Sequence, residues 1–76
     1  MTTYEWQDIF KDNLLEILED RGMTQRDLAE DSDLPVATIA NYTTKRATPS
    51  IKAIINMAYA LDVSVDELID FGDRIE

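Results

Sequence analysis

The sequence predicts an all-α fold, a compact five-helix bundle in a single domain over residues 1–76. The chain has only two glycines and two prolines among its 76 residues, whereas Leu, Ile and Ala are frequent, which favours helices. Its apolar residues recur at spacings of three and four, so each stretch can line one side of a helix. Two Ser/Thr-x-x-Asp/Glu patterns mark helix starts inside the chain.

The first helix is predicted over residues 4–21, where the apolar residues follow the i, i+3, i+4 spacing. Its expected core residues are Leu14, Ile17 and Leu18. Trp6 and Phe10 can cover one end of the core or meet a partner's surface, and we expect core cover. Gly22 is expected to end this helix, because glycine readily adopts the left-handed conformation found after a helix C-terminus.

Two short helices joined by a tight turn are predicted in the middle of the chain. The first covers about residues 25–31, with Thr24 as N-cap and Asp27 in the position that completes a weak capping box. The turn covers residues 32–34. The second helix covers about residues 35–43 and opens with a proline, which suits a first helical turn.

The apolar spacing of these two helices fits a steep crossing. Four side chains can then face the same side: Leu28, Leu34, Ile39 and Tyr42. Ala29 supplies the small residue that a close crossing needs. This is the layout of a helix-turn-helix, which presents its second helix to a DNA major groove. An ordinary helical hairpin has the same spacing, so spacing alone leaves DNA recognition open.

The two remaining helices follow the motif. Ser50 is the expected N-cap of the fourth, which ends at Asp62. Its expected core stripe is Ile51, Ile54, Ile55, Ala58 and Leu61, with Met57 and Tyr59 beside it. Ser64 and Glu67 form a full capping box for the fifth helix, which Gly72 terminates. Its apolar face is Val65, Leu68 and Ile69, and residues 73–76 are expected to fray.

Two positions are expected to need a positive φ. Asp33 lies in the turn of the motif, and Lys45 lies where the chain leaves the second motif helix. Glycine would adopt that conformation most easily, with Asp next best. Each substitution is expected to cost a fraction of a kcal/mol to about 1 kcal/mol relative to glycine.

The net charge of −9 is unfavourable for contact with DNA phosphates, but the charges are unevenly distributed. Residues 1–33 carry ten acids and three bases, and residues 62–76 carry six acids and one base. Residues 34–61 carry no acid and three bases, which are Lys45, Arg46 and Lys52. The second motif helix, the loop after it and the fourth helix therefore form the electropositive segment. Chance clustering in a short acidic chain is the alternative explanation.

Three stretches together resemble the phage repressor and Cro-type (XRE-like) helix-turn-helix domains: TQRDLAE at 24–30, TIANYTTKRATPS at 38–50 and AYALDVSVDELI at 58–69. The resemblance covers roughly residues 13–69. It implies a lambda-repressor-like bundle of five helices with its motif at about residues 24–44. Members of that family are mostly transcriptional repressors or regulators that bind short palindromic operators as dimers.

The resemblance also implies which residues contact DNA. Gln25 would hydrogen-bond a phosphate and brace the recognition helix. The major groove would be faced by Val36, Ala37, Thr38 and Asn41, and backbone phosphates would be contacted by Thr43, Thr44, Lys45, Arg46, Ser50 and Lys52. Since an asparagine can bond adenine N6 and N7 together, and Val36 or Ala37 can pack on a thymine methyl, an A/T-leaning half-site is expected.

Composition argues against other classes of protein. The chain has no His and no Cys, so it lacks disulfides, the usual zinc ligands and the usual general base, and it has no glycine-rich phosphate loop. We therefore expect no enzymatic activity, no cofactor and no metal. There is no signal peptide or transmembrane run, so we expect a cytoplasmic protein without membrane contact.

Two functions remain open at this point. The first is a sequence-specific regulator of transcription, a repressor, which reads a double-stranded DNA operator with helix 35–43. The second is a protein-interaction module of the same fold, such as an antitoxin or anti-repressor, whose acidic flanks bind a basic partner. For the regulator we expect a homodimer. Its expected contact surface is Val65, Ile69, Phe71 and Ile75, helped by Trp6 or Phe10.

Overall fold

A computed structural model describes residues 6–70 and residue 72. Within these residues the chain forms five α-helices and no strand. The helices are α1 (Trp6–Arg21), α2 (Gln25–Ser32), α3 (Val36–Thr43), α4 (Ile51–Leu61) and α5 (Val65–Ile69). The predicted all-α, five-helix fold is confirmed. Residues 4 and 5 of the first predicted helix, and the predicted fraying of residues 73–76, lie outside the described residues.

Side chains cap the start of α2, α4 and α5. Thr24 Oγ1 accepts a hydrogen bond from the Asp27 N–H at 3.1 Å, and Asp27 Oδ2 accepts one from the Thr24 N–H at 3.0 Å. Ser64 and Glu67 form the same reciprocal pair at α5. Ser50 Oγ accepts from the N–H three residues later at 3.1 Å. Each cap satisfies a backbone donor that has no partner inside its helix, which contributes about 1 kcal/mol.

Among the described residues, three other than glycine adopt the left-handed conformation. Asp33 has φ 59°, Lys45 has φ 62° and Asp62 has φ 57°. The two predicted positions, Asp33 and Lys45, are thereby confirmed. Asp33 and Asp62 end α2 and α4, where each backbone N–H bonds carbonyls of the helix before it. These turns reverse the chain and set the angles between successive helices.

The core takes side chains from all five helices. The largest fully buried ones are Phe10, Ile9, Leu14, Leu28, Ile39, Met57, Leu61 and Leu68. The predicted core residues Leu14, Leu18, Leu28 and Ile39 are confirmed, whereas Ile17 is half-buried. Phe10 also confirms the expected core cover, because its ring is 1% exposed and packs edge-to-face with Tyr42 of α3.

The predicted core stripe of α4 was wrong at two positions. Ile51 is 76% exposed and Ile55 is 50% exposed, whereas Met57, expected beside the stripe, is fully buried. The residues of α4 that face the core are Ala53, Ile54, Met57, Ala58 and Leu61. The helix is apolar around most of its circumference, so two different stripes fit the sequence. Packing against α2 and α5 selects the one that includes Met57.

Asn13 fastens the end of α5 to α1. Its side-chain amide, in a residue only 9% exposed, donates hydrogen bonds to the Leu68 carbonyl at 3.0 Å and to the Asp70 carbonyl at 2.9 Å. These carbonyls lie at the C-terminal end of a five-residue helix, where no further turn can satisfy them. A helix this short is not stable by itself, so α5 depends on this contact and on the burial of Leu68.

Candidate nucleic-acid interface

The turn between α2 and α3 sets the direction of the recognition helix, α3. The Leu34 N–H bonds the Ala29 carbonyl at 3.0 Å, which closes the end of α2. The Pro35 carbonyl then accepts from the Thr38 and Ile39 N–H groups at 3.0 and 3.3 Å, which starts α3. This reversal takes only residues 33–35, and it lets α3 cross α2 while Leu28 and Ile39 pack together in the core.

The inner side of α3 is formed by Ile39 and Tyr42, both of which are buried. At about 100° per residue, positions 37, 41 and 44 lie opposite these two core residues, whereas positions 36 and 38 flank that outer face. Val36 is 41% exposed and Ala37 is exposed, and Thr38 and Asn41 are half-buried. Of the four predicted groove-facing residues, Ala37 and Asn41 therefore lie on the outer face of α3, whereas Val36 and Thr38 lie on its two sides.

The loop after α3, residues 44–50, is folded back onto the helix. The Arg46 and Ala47 N–H groups both bond the Asn41 carbonyl, at 2.8 and 3.2 Å. The Lys45 N–H bonds the Tyr42 carbonyl at 3.3 Å while its backbone is left-handed. We call this segment the phosphate loop, since it holds Lys45 and Arg46, two of the three cations predicted to contact phosphate. Its backbone is anchored on the carbonyl of the residue predicted to read the base.

The hydroxyl groups predicted to contact phosphate differ in whether their proton is already donated to the backbone. Thr43 Oγ1 and Thr44 Oγ1 donate to the Ala40 carbonyl at 3.0 and 2.9 Å, so neither has its proton directed at a ligand. A phosphate only accepts hydrogen bonds, so either threonine must rotate before it can donate to one. Ser50 Oγ accepts from the helix backbone, and its own proton has no acceptor among the described residues. Ser50 can therefore cap α4 and donate a hydrogen bond to a phosphate at the same time.

The predicted cations are in different environments. Arg46 and Lys52 are exposed, and neither forms an ion pair with any described residue. Lys45 Nζ, in contrast, lies 2.6 Å from Asp8 Oδ1 in the first turn of α1. Next to it, Gln7 Nε2 donates to Thr48 Oγ1 at 3.2 Å. The first turn of α1 is thereby docked on the phosphate loop, a contact that the sequence reasoning missed, because the paired residues are 37 and 41 positions apart.

Gln25 lies where the resemblance requires it, as the first residue of α2. It is half-buried, and no side-chain hydrogen bond joins it to α3 in the described part of the chain. The backbone donors at this helix start attract phosphate in any case. Carboxylates border the N-terminal end of the recognition helix α3, because Glu30 and Asp33 line an open cleft together with its first residue, Val36.

The rest of the described surface offers few alternative sites. Among residues 6–70 and 72, no set of three or more His, Asp or Glu side chains converges as metal ligands would. None of the helices in that range has the length and apolar character needed to cross a bilayer. The cleft between the end of α2 and α4, with a volume of about 370 Å³, is open to solvent and lined by Asp31, Ser32, Asp33, Asn56, Tyr59 and Ala60.

Comparison with known proteins agrees with this geometry. The model of the Helix-turn-helix family matches residues 14–68, which include α2 to α4 entirely. The chain is similar in structure to the restriction-modification controller protein C.AhdI from Aeromonas hydrophila, with a TM-score of 0.80 and 28% sequence identity over 86% of this chain and 98% of that chain. No curated protein sequence matches it. The chain is therefore a DNA-binding transcriptional regulator of the helix-turn-helix family.

Proposed function

We propose that the helix-turn-helix domain over residues 1–76 acts in the cytoplasm as a sequence-specific repressor that binds a short palindromic operator as a homodimer. The observation that supports this most directly is the geometry of α3. Ile39 and Tyr42 fix the helix to the core, and Ala37 and Asn41 face outward inside the segment that carries no acid. A helix presented in this way fits the major groove, and it carries no carboxylate of its own, although Glu30 and Asp33 border its first residue, Val36.

Base reading and phosphate binding are assigned to different residues. Asn41 would bond an adenine through N6 and N7, and Val36 or Ala37 would pack on a thymine methyl. Arg46 and Lys52, both exposed, would contact phosphates. The remaining predicted contacts are Gln25, Thr38, Thr43, Thr44, Lys45 and Ser50. Since the similar solved chain is a restriction-modification controller protein, genes of such a system are the first targets to examine.

The dimer contact that we propose differs from the one expected from the sequence. Phe10 is buried in the core and cannot serve it, and Phe71 and Ile75 lie outside the described residues. The largest exposed apolar row runs along the outer side of α4 and consists of Ile51, Ile55 and Tyr59, which we call the α4 stripe. These positions are spaced by four, so they form one continuous ridge.

The distribution of acidic residues favours a second copy of this chain as the partner that covers the α4 stripe. Two chains of net charge −9 repel each other, and a symmetric contact places the same residues against themselves. The segment 34–61 has no acid, so α4 itself brings no carboxylate to the contact, and Asp31 and Asp33 of the α2 end border the stripe only at Tyr59. Ile69 of the predicted surface is 39% exposed and remains a candidate at its margin.

The proposed function is tested by selecting bound duplexes from a random DNA pool and measuring fluorescence anisotropy on the selected site. We expect enrichment of a palindrome with A/T-rich half-sites and binding at micromolar protein or below in low salt. Failure to bind the selected and scrambled duplexes under those conditions would overturn it.

A second function is supported by the acidic cleft between α1 and α5. Glu16, Asp20, Glu67 and Asp70 line this cleft together with Asn13 and Ile17. A protein-interaction module of the same fold would use this surface to bind a basic partner. Replacing Glu16 and Asp20 with Gln and Asn distinguishes the two functions, because it should abolish binding of such a partner and should not weaken binding to the operator.

A further inference from the structure

We propose that Asp8 sets the affinity of the regulator for DNA by occupying Lys45 until a phosphate displaces it. This inference rests on the proposed function, because it assigns Lys45 to a DNA phosphate. The free protein already satisfies that ammonium group with a carboxylate 2.6 Å away. Phosphate binding at Lys45 is then an exchange of one anionic oxygen for another, whereas at Arg46 it is a simple addition.

The backbone is fixed on both sides of the pair. Lys45 has a fixed backbone, because its φ of 62° belongs to a closed turn and its N–H bonds the Tyr42 carbonyl. Asp8 belongs to the first turn of α1, where the neighbouring Gln7 bonds Thr48 across the same junction. The two side chains are 38% and 26% exposed, for Lys45 and Asp8 respectively. Solvent therefore reaches the pair, as the proposed exchange requires.

Exchange follows from the charges at this junction. A phosphate that approaches Lys45 while Asp8 remains bound brings two anions close together, which is unfavourable. Departure of the carboxylate from Lys45 removes that repulsion. Breaking the Asp8–Lys45 pair therefore lowers the affinity for DNA. A partly exposed ion pair of this kind changes an equilibrium constant by at most about fivefold.

Salt dependence gives an independent sign of exchange. Each phosphate neutralised by a free cation releases about 0.9 of a counterion from duplex DNA. When Lys45 leaves Asp8, the freed carboxylate attracts a cation from solution, so fewer ions are released overall. The contribution of Lys45 to the salt slope should therefore be smaller than that of Arg46 in the wild-type protein. It should rise once Asp8 is neutral.

Asp8→Asn tests the inference, with Asp12→Asn as the matched control. Asp12 is an exposed acid one turn along the same helix, so the control removes the same charge without touching Lys45. We expect Asp8→Asn to bind the selected and scrambled duplexes about fivefold more tightly, and Asp12→Asn less than about twofold. In a Lys45→Gln background the two substitutions should have equal effects. Circular dichroism melting checks that each variant is folded.

Different failures have different meanings. If wild type binds DNA and Asp8→Asn gains no more than Asp12→Asn, or binds more weakly, the exchange is refuted while the proposed function stands. If Asp8→Asn keeps its full gain in DNA affinity in the Lys45→Gln background, the effect comes from the overall electrostatic field of the charges on α1. The exchange is then again refuted. Absence of DNA binding by every protein would refute both proposals together.

Discussion

Phe10 of α1 meets Tyr42 of the recognition helix edge-to-face, with their ring centroids 6.4 Å apart and their planes at 83°. Trp6 makes a similar contact with Phe10 one turn earlier, at 6.3 Å. Such aromatic pairs contribute about 0.5–1.5 kcal/mol beyond the burial of their surface. The orientation of α3 is thus determined by α1 as well as by the turn that precedes it, and the same part of α1 carries the partner of Lys45.

Two isoleucines of α4 provide a direct test of the packing. Ile54 is 7% exposed and Ile51 is 76% exposed, although they lie one turn apart. We expect Ile54→Ala to lower the free energy of unfolding by about 2–4 kcal/mol, through lost burial and the cavity left behind. Ile51→Ala should change it by less than about 0.5 kcal/mol. Urea denaturation measures both values, and equal losses would mean that α4 is rotated from the orientation described here.

Asn13 should be essential for the docking of α5. Asn13→Asp preserves the shape of the side chain but replaces the amide donor with a carboxylate that faces the carbonyls of Leu68 and Asp70. We expect a loss of about 2–4 kcal/mol in stability, since acceptors would then oppose each other in a nearly buried position. Asn56→Asp, at a half-buried position of α4, is the control for the same exchange away from α5. Hydrogen exchange should show α5 opening first in Asn13→Asp, and unchanged protection there would contradict the role of Asn13.

Asn41 and Arg46 should separate sequence discrimination from general affinity. Asn41→Ala is expected to cost about 1–3 kcal/mol on the selected operator and little on a scrambled duplex, because only its base contact depends on sequence. Arg46→Ala should weaken both duplexes alike and lower the salt slope by about one unit. Anisotropy across a salt series gives both quantities. An equal loss on both duplexes for Asn41→Ala would remove that residue from base recognition.

The α4 stripe should control self-association. Ile55→Glu and Tyr59→Glu place a charge on exposed positions, so the fold should survive while two copies no longer meet. Sedimentation should show a wild-type dimer at high concentration or on a palindromic duplex, and monomers for both variants. Leu15→Glu on α1, where the leucine is 40% exposed, is the control for an added charge elsewhere. A wild-type protein that remains monomeric in both conditions would exclude the dimer.

Local signals explain what the sequence could predict. Caps at Thr24, Ser50 and Ser64 lie in the same few residues as the donors that they satisfy, so the starts of α2, α4 and α5 were predicted correctly. Positive φ at Asp33 and Lys45 was equally local. The family resemblance is confirmed by the family match. The set of DNA-contacting residues stays a prediction, although Ala37 and Asn41 lie on the outer face of the recognition helix.

Contacts between distant positions explain what the sequence could not predict. The pairs Lys45–Asp8 and Asn13–Leu68 join residues 37 and 55 positions apart, and no spacing rule connects them. The rotation of α4 was likewise undetermined, because Ile51, Ile55 and Met57 are all apolar enough to be buried. Only the packing of neighbouring helices selects which of them are buried.

The anchoring of the phosphate loop on the carbonyl of residue 41 has a consequence for how the protein can acquire new targets. The Arg46 and Ala47 N–H groups bond the backbone of Asn41 and not its side chain. Every amino acid supplies that carbonyl, so the side chain at this position can be exchanged while the loop keeps its shape. Under the proposed role of Asn41 in base reading, a substitution at this position would change the base that is read and would leave the proposed phosphate contacts of the loop in place.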